Sequence, residues 1–299
     1  MRKHVPFWSL AFVVAVVLQS CSNEAVKPKG NPDAPAQNAG NGALVSRLQS
    51  ENLALGNPSN AATNLATPAN YLLDKLQYAV SYNRDAGKSN WVAWHLDPTW
   101  LGSAPRQDNF AADPTLPTGW YRVTSGSYTG SGFDRGHNCP SADRTFSVAD
   151  NSATFLMTNM MPQAPVNNQQ TWAGLENYQR TLVNQGNEIY VVCGSYGSGG
   201  TGSNGFRTSI DNGRVVVPNR LWKAMVIIPR GDNDLARVTT GSRVIAVNMP
   251  NTNSQNTAWG TYRTTVDAIE AATGYDLFSA LPTAVQSVIE ARVDNGPTR

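Results

Sequence analysis

Short runs of aromatic and β-branched residues recur along this chain, and their irregular order constrains its fold more than any other feature. Strand-like runs occupy 78–83, 90–96, 188–193, 214–217, 221–228 and 243–248. Helical periodicity appears at 172–182, and further helices are expected at 265–273 and 282–293. Because a doubly wound sheet requires strands and helices in regular alternation, the sequence predicts an α+β fold instead.

The length and charge of the chain set broad limits on its class. Its 299 residues contain no visible internal repeat, and we expect one folded domain over about residues 50–295. Charged residues make up 15% of the chain, and the formal net charge is only +2. Proteins that grip nucleic acid usually carry a clear basic excess. The overall charge therefore does not suggest nucleic-acid binding, although it allows a local basic cleft.

The amino terminus has the pattern of an export signal. A basic region, Arg2–His4, precedes an apolar run over about residues 7–18, which is too short to span a bilayer comfortably. Ser20 and Cys21 follow this run, as in a bacterial lipoprotein signal whose cysteine becomes the lipidated first residue of the mature chain. An ordinary secretory signal that happens to contain a cysteine is the alternative.

The lipoprotein interpretation divides the first part of the chain into two segments. Residues 1–20 would be the signal, and residues 21–49, rich in Asn, Ala, Pro and Gly, would form a flexible tether. Lipidation at Cys21 would anchor the protein to a membrane. We therefore expect a location in the bacterial cell envelope, at the outer membrane or cell surface, or otherwise secretion.

The two cysteines that remain after Cys21 allow two interpretations. Cys139 and Cys193 form an even pair, which an oxidising envelope could link as a disulfide. They could equally be two buried free thiols, and the sequence leaves both open. No Cys-x-x-Cys pattern occurs, so a structural zinc site has no support.

One of the three histidines lies in a stretch suited to acid–base chemistry. His4 falls in the export signal, and His95 alternates with apolar residues along a probable strand, which favours a structural role. His137 lies in a polar stretch with Asp134, Arg135 and Gly136. Imidazole is the side chain best suited to take a proton near neutral pH. Gly136 beside it would leave room for a substrate to approach.

The helix expected near 172–182 carries two charged residues on one face. Glu176 and Arg180 are four residues apart, and this spacing alone favours an exposed ion pair. Asn168 lies just before the helix, where asparagine often caps the first turn. Its amide oxygen is also a suitable ligand for a hard cation such as Mg²⁺.

Together these motifs resemble the DNA/RNA non-specific endonuclease family, which has a ββα-metal active site. The family hallmark Asp-Arg-Gly-His is present as Asp134–His137, followed by Asn-x-x-Pro-Gln as Asn159–Gln163. The metal-ligand element is similar to Asn168–Glu176 here, although Gln170 stands where the family often has glycine. The resemblance covers about residues 55–285 and implies a mainly antiparallel central sheet flanked by helices.

The resemblance also implies roles at matching positions. His137 resembles the general base that activates water, Asn168 the sole direct protein ligand of the divalent metal, and Glu176 the acid that orders metal-bound waters. The metal would be Mg²⁺, or another divalent ion such as Mn²⁺. Arg106 and Arg180 resemble the arginines that contact the phosphate.

Two further residues complete the expected site. Asn159 resembles a residue near the scissile group, and we place it with Arg135 among the substrate-binding residues. Asp134 and Arg135 are also expected to hold the geometry of the motif. The implied substrates are DNA and RNA, cut to 5′-phosphate products; the sequence does not identify an inhibitor protein. The competing hypotheses are a catalytically inactive nucleic-acid-binding envelope lipoprotein and an envelope hydrolase of another phosphodiester.

Overall fold

The computed structural model describes residues 51–299. The expected signal, the lipidation site Cys21 and the tether lie outside the described residues. Within the described part, no helix is long and apolar enough to cross a membrane.

Thirteen strands and five α-helices lie within residues 51–299, joined by short 3-10 turns and one π-helical turn. The strands in chain order are β1 (Tyr71–Asp74), β2 (Ala79–Asn83), β3 (Lys88–Leu96), β4 (Asp134–His137), β5 (Met160–Gln163), β6 (Asn187–Tyr196), β7 (Gly200–Gly202), β8 (Gly205–Arg207), β9 (Ser209–Ile210), β10 (Val215–Val216), β11 (Arg220–Pro229), β12 (Arg243–Pro250) and β13 (Arg263–Thr264). The helices are α1 (Val148–Ala153), α2 (Ala173–Asn184), α3 (Asp234–Arg237), α4 (Val266–Thr273) and α5 (Thr283–Ile289).

Seven of these strands form one central sheet in the order β1-β2-β3-β6-β11-β12-β13. Every neighbouring pair in it is antiparallel. The remaining strands form three two-stranded ribbons, β4-β5, β7-β8 and β9-β10. The mixture of helices with a large antiparallel sheet confirms the predicted α+β class.

Both faces of the central sheet are covered, which explains the long apolar runs of β6 and β11. On one face, Trp94 and Val191 pack with Trp172 and Leu175, which belong to α2 and the turn before it. On the other face, Trp91, Tyr190 and Trp222 pack against α4 and the segment around Phe278. Successive residues of a strand point to opposite faces, so the sheet separates these two cores.

Most predicted elements are present, with two differences. The run at 214–217 contributes only β10, a two-residue strand outside the central sheet. The last predicted helix, 282–293, ends at Ile289.

Candidate active site

The Asp-Arg-Gly-His motif forms a strand of the ribbon β4-β5, where Gly136 pairs with Met161 and Asp134 with Gln163. Gly136 is buried, and a Cβ added to it would lie 2.1 Å from Oε1 of Gln163 and 2.6 Å from its Cβ. The expectation that Gly136 leaves room for a substrate is therefore wrong. The missing side chain leaves room for Gln163, which brings the two strands into close contact.

His137 ends β4 between two aromatic rings. Its ring centroid lies 4.9 Å from that of Phe155 and 5.7 Å from that of Phe110, both edge to face. Nε2 is buried and has no hydrogen-bond partner among residues 51–299. Burial and the positive charges of Arg106 and Arg135 lower the pKa of His137 to about 3. The imidazole is therefore neutral near physiological pH and can accept a proton.

Asn168 is held by the first residue of the motif. Its Nδ2 donates to Oδ2 of Asp134 at 2.9 Å, and Nε2 of Gln169 donates to the same oxygen at 2.9 Å. Because the amide nitrogen is fixed in this way, Oδ1 of Asn168 points away from Asp134. No hydrogen bond within residues 51–299 uses that oxygen, which leaves it available as a ligand atom.

The segment around Asn168 differs from the sequence prediction. Asn168 does not cap the first turn of a helix, because it lies inside a π-helical turn, Asn167–Trp172, that continues directly into α2. Its backbone N–H donates to the carbonyl of Ala164 at 2.9 Å. Such π-turns are frequent at functional sites, and this one sets where the Asn168 side chain projects.

Glu176 lies in the first turn of α2 beside a buried lysine. Its Oε1 has no hydrogen-bond partner and lies 3.7 Å from Nζ of Lys223. Burial raises the pKa of Glu176, and the charge of Lys223 opposes that rise. Lys223 is fully buried, with Nζ 4.4 Å from the ring centroid of Trp172 and 5.3 Å from that of Trp94.

The expected exposed ion pair between Glu176 and Arg180 does not form. Nη1 of Arg180 donates instead to Oδ1 of Asp143 at 2.8 Å. Asp143 is fully buried and also accepts from Nε1 of Trp94 at 3.0 Å and Nε2 of Gln179 at 2.6 Å. Arg180 therefore neutralises a buried carboxylate on the same side of the sheet as Glu176.

Two other arginines line an open cleft that also contains Asp134, Asn168 and Phe110. The guanidinium carbon of Arg135 lies 4.4 Å from the ring centroid of Phe110, and that of Arg106 lies 4.8 Å from the ring centroid of Phe155. The Arg106 side chain is 51% exposed. Both arginines thus stand beside the rings that flank His137, with their charges open to the cleft.

Comparison with known proteins shows the family to which a chain with this arrangement of site residues belongs. Residues 55–284 match the DNA/RNA non-specific endonuclease family. The chain belongs to this family. A nuclease from Nostoc sp. is 51% identical over 246 residues, which cover 82% of this chain and 87% of the relative.

More distant relatives agree with this assignment. Human mitochondrial endonuclease G is 30% identical over 166 residues, covering 54% of this chain and 56% of that protein. The crystal structure of the EndoG/EndoGI complex, solved to explain EndoG inhibition, matches with a TM-score of 0.64 at 20% identity. The structural match covers 79% of this chain and 93% of the matched chain in that crystal structure. This similarity confirms the expected ββα-metal nuclease fold.

One predicted substrate-binding residue of this endonuclease is enclosed by the protein. Asn159 is completely buried, and its amide nitrogen donates to the carbonyls of Cys139 and Thr154, each at 2.8 Å. Its Oδ1 accepts the backbone N–H of Cys139 at 3.0 Å. The side chain is therefore enclosed and fully paired, and a role of Asn159 in substrate binding stays a prediction. Asn159 fixes the loop that follows His137.

The two cysteines within residues 51–299 of the nuclease are both unpaired. Cys139 and Cys193 are buried free thiols, so the second of the two interpretations of this pair is confirmed. Burial raises the pKa of both thiols, which keeps them protonated and unreactive.

Divalent-metal dependence is a property of the family, and the donor set of this nuclease fits a hard cation. Asn168 offers a free amide oxygen, and Glu176 offers a buried carboxylate oxygen without a hydrogen-bond partner. An amide oxygen and a carboxylate on one continuous helical segment match the preference of Mg²⁺ for oxygen ligands and for retained waters.

Lys223 and Asp143 are the residues of the site that the sequence reasoning missed. Lys223 did carry a signal, since a lysine inside the apolar run 221–228 needs a reason to be buried. Asp143 carried none, because its partners Trp94 and Arg180 are distant in sequence.

Proposed function

We propose that this endonuclease is an exported, divalent-metal-dependent enzyme that hydrolyses phosphodiester bonds with His137 as the general base. The observation that carries the proposal is a neutral imidazole, with Nε2 enclosed, whose ring packs against Phe110, a residue that lines the cleft together with Arg106, Arg135 and Asn168. A competent general base must be neutral at the working pH and must reach the attacking water.

The chemistry follows from the two ring nitrogens of His137. With the hydrogen on the enclosed Nε2, Nδ1 keeps the lone pair that would take the proton of the attacking water. Arg106 and Arg135 hold the phosphate in line with that water and oppose the charge that builds on its oxygens. These contacts are to phosphate, which carries no sequence information, so they explain tolerance of both DNA and RNA.

The metal would be held by Oδ1 of Asn168 and, through water, by Glu176. When bound, the ion supplies positive charge to the phosphate oxygens and to the leaving 3′ oxygen, which leaves the 5′-phosphate on the product. Asp134 orients Asn168, and the charge of Lys223 opposes the rise in the pKa of Glu176 that burial causes. The contacts of Arg180 with Asp143 and Asn177 hold α2 beside these residues, and its guanidinium charge adds to the positive field toward the phosphate.

The export proposal rests on the amino-terminal sequence alone. We propose a signal over residues 1–20, lipidation at Cys21, a tether over 21–49 and the catalytic domain over 50–295, with the protein anchored in a bacterial envelope. Expression in a bacterial host with radiolabelled palmitate tests this. Label should enter the membrane fraction and disappear in Cys21→Ser; release of the wild type as an unlabelled protein would indicate an ordinary secretory signal.

Cleavage assays test the proposed activity directly. Purified residues 43–299 should degrade plasmid DNA and RNA in Mg²⁺ or Mn²⁺, and EDTA should stop both reactions. Product ends should accept polynucleotide kinase labelling only after phosphatase treatment, because they carry 5′-phosphates. Retention of nucleic acid without cleavage in any divalent metal would favour the non-catalytic binding protein.

The solved relative also bears on partners. EndoG in that structure is complexed with EndoGI. We extend this to an inhibitor protein that would cover the cleft of Arg106 and Arg135. Protection of both residues from arginine-modifying reagents in the presence of a candidate inhibitor would support the extension, and unchanged modification would contradict it.

A further inference from the structure

A second group of metal-ligating side chains lies far from Asn168, on the sheet face opposite α2. His95 of β3 pairs directly with Tyr190 of β6, and Glu188 lies two residues along the same strand. His95 and Glu188 therefore project from one face as diagonal neighbours. Asp234 reaches them from α3, and ligand atoms of His95, Glu188 and Asp234 all lie within 4.8 Å of one another.

The histidine of this group is buried without a hydrogen bond. His95 is only 6% exposed, and neither ring nitrogen has a hydrogen-bond partner. The nearest carboxylate oxygens are Oε2 of Glu188, 3.4 Å from Nε2, and Oε2 of Glu51, 3.8 Å from Nδ1. Each ring nitrogen thus has only a long ion contact with a carboxylate, whereas buried polar groups usually form a full hydrogen bond, because leaving that bond unmade costs about 1–3 kcal/mol.

Neighbouring side chains hold these groups in place. The ring of His95 stacks on Tyr190, with centroids 4.4 Å apart and planes 16° from parallel. The Tyr190 hydroxyl donates to Asp234, and Arg237 donates to both Asp234 and Glu188. Each carboxylate oxygen has a second lone pair, so these bonds orient the carboxylates without using all their acceptor capacity. Outer hydrogen bonds of this kind position the ligands of protein metal sites.

We propose that His95, Glu188 and Asp234 bind a divalent transition-metal ion of the Zn²⁺ type. One imidazole nitrogen with two carboxylates suits zinc, whereas Mg²⁺ prefers oxygen ligands alone. Three protein ligands leave a fourth position for water from the adjoining open cleft, which Asp97 and Asp232 also line. The site ties β3 and β6 to the segment after β11, so the ion stabilises the fold and takes no part in cleavage.

The sheet itself separates this site from the catalytic centre. Trp94 and Lys223 face the core beneath α2, whereas Tyr190 belongs to the core on the opposite face. Zinc binding at His95 is therefore independent of the roles proposed for His137 and Asn168. A second carboxylate group, Asp267, Glu270 and Glu290, contains no histidine and provides a matched control.

The test uses the purified full chain, stripped of metal and then kept in saturating Mg²⁺ so that the catalytic site is filled. We expect one Zn²⁺ per chain by elemental analysis after gel filtration. At a free Zn²⁺ concentration about a hundred times its dissociation constant, the thermal midpoint should rise by roughly 5 °C or more. Cleavage of DNA in Mg²⁺ should not require the bound zinc.

Four variants separate the possibilities. Asp234→Asn and His95→Gln should lose the zinc and the rise in midpoint, and Asp234→Asn decides the matter if His95→Gln fails to fold. Asn168→Ala and the control Glu270→Gln should keep both. Absence of bound zinc in the wild type, or equal zinc in wild type and Asp234→Asn, would overturn the proposal. Loss of zinc in Asn168→Ala would assign the ion to the catalytic centre and also overturn it.

Discussion

Replacing Gly136 by alanine tests how the catalytic ribbon is built. The added Cβ would lie 2.6 Å from Cβ of Gln163, whereas carbon atoms in contact normally stand about 3.5–4.0 Å apart. Strands β4 and β5 must therefore separate by about 1 Å. Overpacking of this kind costs about 1–3 kcal/mol of unfolding free energy. The displaced neighbour is His137, and a 1 Å misplacement of a catalytic group can cost about 100-fold in rate.

Two measurements on the Gly136→Ala variant are needed, plasmid cleavage rate and urea unfolding. Both should fall, and Gln163→Gly in the same chain should recover part of the stability by removing the clash. Gly174→Ala in α2 is the matched control, because its Cβ would meet nothing closer than 3.5 Å. If Gly136→Ala keeps wild-type stability and only raises KM, Gly136 makes room for substrate and the argument from Gln163 is refuted.

Three further predictions concern charge and metal. Lys223→Met removes the positive charge 3.7 Å from Glu176 that opposes the rise in its pKa, so the acid limb of the pH–rate profile should move to higher pH. An unchanged acid limb would contradict this. Folding lowers the pKa of His137 from 6.5 to about 3, so between pH 3 and pH 6.5 this residue binds a proton in the unfolded chain but not in the folded protein. On acidification through this range, the free energy of unfolding of the wild type should therefore fall by up to about 1.4 kcal/mol per pH unit, and it should fall less steeply in His137→Ala. Parallel plots of unfolding free energy against pH for the two proteins would contradict this. Asn168→Ala should need far more Mg²⁺ for half-maximal cleavage, and an unchanged titration would remove Asn168 as a ligand.

The sequence predicts the central sheet well because its strands have strong patterns. The runs at 90–96, 188–193, 221–228 and 243–248 are apolar on both sides, as strands covered on both faces must be. β4 and β5 have no such pattern, because Asp134–His137 is polar and its pairing depends on a partner strand distant in the chain. The position of that ribbon therefore comes only from tertiary packing.

The candidate site shows the same division. Its motif residues His137, Asn168 and Glu176 are found from local sequence, because each motif fixes residue types at set spacings. Lys223 cannot be paired with Glu176 from sequence, since α2 and β11 meet only after the sheet forms. Asn159 shows the reverse case: its motif is recognisable, but only the packed structure reveals that its amide is enclosed.

The central claim is that His137 takes the proton from the attacking water, and one comparison tests it most directly. The kcat for plasmid DNA and for RNA should be measured in saturating Mg²⁺ for the wild type and for His137→Ala, with urea unfolding to confirm that the variant is folded. The account predicts a fall in kcat of about 100- to 10,000-fold on both substrates in a folded protein. A folded His137→Ala that cleaves either substrate at near wild-type kcat would contradict it.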